Sequence, residues 1–273
     1  MTIFESILLG VIQGLTEFLP VSSSGHLVIF PFLMRWDVPP SDAFIFDVLV
    51  QVATLIAVIA YFWDDLITII LASWRGLKAK NPLHTPESRL GWYIIIATIP
   101  ASIFGLIIKA PIESAFKNPL VTAFFLLGTA ALLVLAEKIG KRNRDLKNMD
   151  WIDAIWIGIS QVLALFPGMS RSGATITGGM SRNLDRPSAA RFSFLMSIPV
   201  MLAAGLIASL DLIAIPNFAT RLSVYIPGFI AAAVTGYLSI RWLIKFLTHY
   251  PLYIFSVYCV TLALITILVY IMR

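Results

Sequence analysis

Residues 12–30 read IQGLTEFLPVSSSGHLVIF. Gln13, Glu17, Ser22, Ser23, Ser24 and His26 stand inside an apolar stretch, and Pro20 and Gly25 break regular helix there. A carboxylate, three hydroxyls and an imidazole are the parts of proton transfer and nucleophilic attack. On a helix, Gln13 and Glu17 are four apart and share a face. An ionised carboxylate at the centre of a bilayer costs about 2.5–3.5 kcal/mol on insertion scales, so Glu17 needs a cation, a donor or a proton. It reads as a metal ligand or a general base; the plainer reading is a hydrogen bond that fixes helix packing. His26 follows nine residues later and is placed for a Glu–His pair that would poise the imidazole for proton transfer. Taken singly, each Ser suits close helix packing. As SSSG after a proline, they suit a turn whose converging N–H groups bind an anion.

A second stretch, PGMSRSGAT at 167–175, supplies what the first lacks. Arg171 falls at expected membrane depth, and its planar fork suits bidentate contacts to phosphate. The structural reading is a salt bridge to Glu17 or Asp153. Ser170, Ser172, Gly173 and Thr175 add hydroxyls and a backbone that can approach an anion closely. No GxxxxGK occurs, so this is not a P-loop. Facing each other, the two stretches would provide an activated attacker, charge neutralisation and oxygen ligands for Mg²⁺ or Ca²⁺, as phosphoryl chemistry requires.

The elements that carry them belong to a membrane protein. The 273 residues are 59% hydrophobic and 13% charged, with a mean hydropathy of +0.88; soluble domains have about 25% charged residues. The net charge of +5 does not point to nucleic acid, because the basic residues lie between apolar runs. A single cysteine, Cys259, excludes a disulfide framework. The start, MTIFESILLGVIQ, lacks a basic region and a small-residue cleavage site, so it reads as mature protein rather than signal peptide. Six runs are long enough to span: roughly Ala43–Trp63, Leu90–Ile108, Leu120–Ala136, Ala189–Leu210, Val224–Phe246 and Leu252–Ile271. Ile3–Phe32 and Ile152–Met180 are broken at their centres and are expected as re-entrant helical hairpins, entering and leaving on one side. With six spans and two hairpins, 14 of the 20 Lys and Arg fall on one side. Arg35, Lys109, Lys117, Arg221 and Arg273 fall on the other, which places both termini outside.

The two broken stretches resemble each other. Gln13 and Gln161 are 148 apart, as are SSSG at 22–25 and SRSG at 170–173. Downstream, FDVLVQVATLIA from Phe46 faces FSFLMSIPVMLA from Phe192, Ile99–Pro100 matches Ile226–Pro227, and Pro119–Leu120 matches Pro251–Leu252. The expected architecture is an all-α integral membrane protein in a single domain. Its halves, about 1–147 and 148–273, form an inverted-topology repeat with the site at their interface.

QGLTEFLPVSSSGH and PGMSRSGAT resemble the two signatures of the bacterial undecaprenyl-diphosphate phosphatase family, the enzymes linked to bacitracin resistance, and the resemblance covers the whole chain. It implies hydrolysis of undecaprenyl diphosphate to undecaprenyl phosphate and inorganic phosphate, recycling the lipid carrier of peptidoglycan synthesis at the outer face of the bacterial inner membrane. Bacitracin would compete for that substrate. The resemblance also implies a divalent cation, Mg²⁺ or Ca²⁺. By position, Glu17 serves metal binding or proton transfer, His26 is an acid–base residue and Ser23 is the preferred nucleophile among Ser22–Ser24. Arg171, Ser170, Ser172 and Thr175 hold the diphosphate, beside Gly25 and Gly173. Gln13 stands where many members have Glu. It cannot give a second negative ligand, so it would join Glu17 at the metal through its carbonyl, or the metal would rest mostly on Glu17 and the diphosphate itself.

Inverted repeats with broken helices also serve transport, so the alternative is a transporter or flippase of a polyprenyl phosphate or other anion. The attacking group, a serine or water, stays open at this stage. Gly10 and Gly14 form a GxxxG, a weak signal for a homodimer.

Overall fold

The computed structural model describes residues 1–108, 111–112, 115–116, 118–213 and 218–273. Helix follows helix: α1 (Ile3–Phe18), α2 (Ser23–Met34), α3 (Pro40–Tyr61), α4 (Trp63–Lys78), α5 (Pro86–Ile107), α6 (Pro119–Ile139), α7 (Trp151–Val162), α8 (Arg171–Ser181), α9 (Arg186–Ile213), α10 (Phe218–Leu247) and α11 (Tyr253–Ile271). Among the described residues the only β pairing is an isolated bridge between Arg144 and Leu184. Six helices, α3, α5, α6, α9, α10 and α11, are long and apolar enough to cross a membrane. They coincide with the six runs expected from hydropathy, and the chain is a multi-pass membrane protein.

α4 is an addition. The stretch between the first two spans was expected as a loop, yet it forms 16 residues of helix. Asp64 and Asp65 open it and Arg75 and Lys78 close it, each charge matched to the helix dipole. Ile69 and Gly76 are buried, while Trp63, Ile70 and Trp74 stay exposed. Four charges in a short segment hide it from a hydropathy window.

α1, α2, α7 and α8 have 16, 12, 12 and 11 residues. At 1.5 Å per residue each is about 16–24 Å long, short of a bilayer core of about 30 Å. Their ends repeat in chemical detail. Thr2 and Glu5 form a capping box on α1, and Asp150 and Asp153 form one on α7. The Ser22 side chain caps α2 by accepting from Gly25 N, and the Ser170 side chain caps α8 by accepting from Gly173 N. Both pairs of caps recur at the interval of 148 read from the sequence.

Each hairpin packs on the other half of the chain. α1 lies along α10 and α7 along α5, while α6 pairs with α11. Pro100 and Pro227 sit inside the two partner helices, α5 and α10. The approach of α1 to α10 is close enough that a Cβ on Gly10 would collide with the Gly228 carbonyl, and one on Gly14 with Thr235 and the Ala232 carbonyl. The GxxxG that signalled a homodimer is thus buried within one chain, against the small residues of α10.

Ion pairs gather at opposite ends of α3. The N-terminal amine binds Asp42 at 3.1 Å, and Arg273 donates to the carbonyls of Phe32 and Leu33. At the far end Arg191 binds Asp65 (2.6 Å), Arg144 and Arg182 grip Asp153 (both 2.7 Å), and Arg142 and Arg186 grip Glu137 (both 2.5 Å). Arg182 lies just past α8 and Asp153 in the first turn of α7, so this pair ties together the two ends of the second hairpin. Lys109 and Lys117, counted on the termini side, lie outside the described residues, as does the side chain of Arg221.

Candidate functional site

The breaks in the two hairpins meet tip to tip. Gly168 N donates to Ser22 Oγ at 3.1 Å, and Ser172 Oγ donates to Leu19 O at 3.0 Å. Ser22 has φ +69° and Gly168 has φ +96°, both in the left-handed region. A Cβ at Gly168 would collide with the Thr122 carbonyl of α6. Thr129, also on α6, clamps the second break from outside: its hydroxyl donates to Gly168 O and accepts from Ser170 N, each at 2.8 Å.

This joint presents Glu17 to three donors. Glu17 Oε1 accepts from Arg171 Nη2 at 3.0 Å, and Oε2 accepts from Gln13 Nε2 at 2.8 Å and from Ser23 Oγ at 2.6 Å. The Glu17 and Arg171 side chains are only 10% and 15% exposed, so the pair is screened from bulk water. Arg171 chooses Glu17 over Asp153, which already has two arginines. Its Nη1 reaches Ser193 O at 3.4 Å.

The three serines differ. Ser23 directs its hydroxyl at a carboxylate, the arrangement of a nucleophile with its base. Ser22 is buried as cap and joint, accepting from Gly25 N and Gly168 N. Ser24 reaches only Ser22 Oγ, at 3.4 Å. The hydroxyls of the second stretch also serve the scaffold. Ser170 caps α8 and lies 3.1 Å from Ser172, and Thr175 bonds Arg171 O at 2.8 Å and Ser193 Oγ at 2.6 Å.

His26 does not pair with Glu17. Its Nδ1 lies 2.7 Å from Ser22 O, and its Nε2 2.6 Å from the Tyr258 hydroxyl of α11. A carbonyl can only accept, so in the neutral ring Nδ1 carries the proton and Nε2 accepts from Tyr258. The two rings stack at 5.6 Å. Tyr258, Thr129 and Ser193 were not among the residues expected from sequence. Tyr258 and Thr129 sit in apolar helices with no motif around them, and Ser193 lies in the stretch FSFLMSIPVMLA, which was read only for its likeness to the first half.

A cavity of about 780 Å³ opens beside the joint. Gln13, Ser23, Ser24, Asp47 and Gln51 supply its polar wall, and apolar side chains of α2, α3 and α9 supply most of the rest. Such a mixed lining suits a ligand with a polar head on a hydrocarbon chain. Among the described residues no three His, Cys, Asp or Glu side chains come together to hold a metal. Gln13 Oε1 is buried and has no hydrogen-bond partner among the described residues. That free carbonyl, next to a carboxylate, fits a hard cation bound largely by amide and ligand oxygens.

Residues 6–265 match the family model described as bacitracin resistance protein BacA. The chain is 43% identical to an undecaprenyl-diphosphatase of Chlorobaculum tepidum, with 94% of this chain and 93% of that protein covered. It is 39% identical to one of Moorella thermoacetica over the full length of both, and 41% identical to one of Methanosphaera stadtmanae over 97% of each.

Proposed function

The chain belongs to the bacitracin resistance protein BacA family, and on that footing we propose that it hydrolyses undecaprenyl diphosphate to undecaprenyl phosphate and inorganic phosphate. The observation that carries this reading is the 2.6 Å bond from Ser23 Oγ to Glu17, itself paired with Arg171. A carrier of polyprenyl phosphate needs a binding site but no hydroxyl aimed at a base.

The chemistry follows from those three side chains. Ser23 Oγ attacks the terminal phosphorus while its proton passes to Glu17 Oε2. The bond to the bridging oxygen breaks, and undecaprenyl phosphate leaves with that electron pair and the proton from Glu17, which is a carboxylate again. Water then attacks the phosphoserine while Glu17 takes its proton and passes it to Ser23 Oγ as the serine–phosphorus bond breaks; inorganic phosphate departs with the Ser23 hydroxyl restored. Arg171 pairs with Glu17 between turnovers and offers its guanidinium to charge developing on the phosphoryl oxygens. His26, held by Ser22 and Tyr258, keeps the first turn of α2 in place. Glu17 and Gln13 Oε1 would hold Mg²⁺ or Ca²⁺, which when bound neutralises the diphosphate.

The two hairpins are re-entrant and the halves, about 1–147 and 148–273, are inverted repeats. Matched caps at an interval of 148 and the crosswise packing of α1 on α10 and α7 on α5 support this reading. The arginine-rich end lies in the cytoplasm by the positive-inside rule. The first hairpin then opens to the outer face of the inner membrane, where bacitracin competes for the same lipid. Purified protein in detergent is expected to release phosphate from undecaprenyl diphosphate with Mg²⁺ or Ca²⁺ and to stop on chelation. Folded protein that releases none under either cation would overturn the reading.

A further inference from the structure

Among the described residues, Asp47 is the one acidic residue in the wall of the 780 Å³ cavity. It lies on α3, across from Gln13 and Ser23, and Gln51 one turn further along α3 lines the same space. Among the described residues its carboxyl has no donor or cation beside it. Two other features point the same way. Gln13, in the same wall, has a buried Oε1 without a donor among the described residues. The repeat alignment pairs Asp47 with Ser193, whose carbonyl and hydroxyl contact Arg171 and Thr175 of the second break. The face of α3 bearing Asp47 therefore meets the first break as α9 meets the second.

An unpaired carboxylate is a poor lining for a cavity that admits a diphosphate, because like charges at close range repel. A cation between them reverses the sign of that interaction. We propose that Asp47 is a ligand of the divalent cation, the second carboxylate that Gln13 does not provide, with Gln13 Oε1 and Gln51 as its neutral oxygen partners. The site thus spans the cavity from α1 to α3 and depends on the first half of the chain alone. This deepens the phosphatase reading by assigning the metal, and it rests on that reading for the anionic ligand. A protonated, uncharged Asp47 is the competing account.

The test is Mn²⁺ binding to the detergent-purified protein without substrate, followed by electron paramagnetic resonance. Wild type is expected to bind Mn²⁺ saturably, with displacement by Mg²⁺, and Asp47→Asn to bind at least about tenfold more weakly. Asp47→Cys, with folding verified by its melting transition, is expected to gain affinity for Cd²⁺ over wild type, whose one thiol, Cys259, is buried, since a thiolate prefers soft ions. Equal Mn²⁺ affinity in wild type and Asp47→Asn, no saturable binding in wild type, or no Cd²⁺ gain in Asp47→Cys would each overturn the proposal. If Asp47→Asn loses Mn²⁺ while wild type releases no phosphate from undecaprenyl diphosphate, the metal assignment stands and the phosphatase reading falls.

Discussion

The two hairpin breaks share a backbone plan and differ in chemistry. Both begin with a capping box, carry a glutamine 11 residues after the cap, and restart on a serine-capped helix with glycine at the third position. At the interval of 148, however, Glu17 corresponds to Leu165, Ser23 to Arg171, and His26 to Ala174. The result shows in the two glutamines. Gln13 donates to Glu17, whereas neither side-chain atom of Gln161 has a hydrogen-bond partner among the described residues. The first break carries the acid and the hydroxyl; the second carries neither and lends a guanidinium to the first. The two breaks share their backbone geometry and differ in the side chains at these positions.

That contrast predicts unequal effects of equivalent substitutions. Glu17→Gln is expected to lower kcat for phosphate release by about 10³-fold, within the range for loss of a general base; Leu165, its counterpart, should accept Met with less than a twofold change. Arg171→Ala is expected to lower kcat by about 10²–10³-fold. It should also lower the melting temperature, because Glu17 is left charged and unpaired. Arg171→Lys, which keeps the charge without the fork, should recover most of the melting temperature and little of the rate. Gly168→Ala requires a strained φ and a collision with Thr122 O, so a lower melting temperature and loss of detergent-stable protein are expected. Tyr258→Phe removes only the donor to His26 Nε2, and a fall in kcat of about tenfold or less is expected. The smallest effect belongs to Gln161→Leu: unchanged activity and equal or higher stability, since an unsatisfied buried amide is removed. Gln13→Leu should instead cut activity. Matching losses at Gln13 and Gln161 would show that the breaks still act alike.

The sequence reached far because the signals were local. Hydropathy found the six spans, and proline, glycine and hydroxyls marked both breaks. The spacing of Gln13, Glu17 and SSSG put the candidate groups on one hairpin, at the end of α1 and the start of α2. What it could not reveal depended on contacts across the chain. The partner of His26 is 232 residues away on α11, and two residues nine apart had suggested Glu17 instead. Arg171 had two acids to choose between, and the choice was made by Arg144 and Arg182, which already occupy Asp153. The serines looked equivalent in SSSG; capping and the tip-to-tip joint take Ser22, leaving Ser23 facing the carboxylate. GxxxG was visible, but whether it meets another chain or α10 is a matter of tertiary packing.

Phosphate release from undecaprenyl diphosphate by Ser22→Ala, Ser23→Ala and Ser24→Ala, assayed side by side with matched folded protein, bears most directly on the central claim that Ser23 and Glu17 form the reactive pair. Ser23→Ala is expected at background, with Ser24→Ala within about threefold of wild type. Ser22→Ala should be less stable by about 1 kcal/mol through loss of its cap yet still turn over. Ser23→Ala turning over within tenfold of wild type would contradict the account.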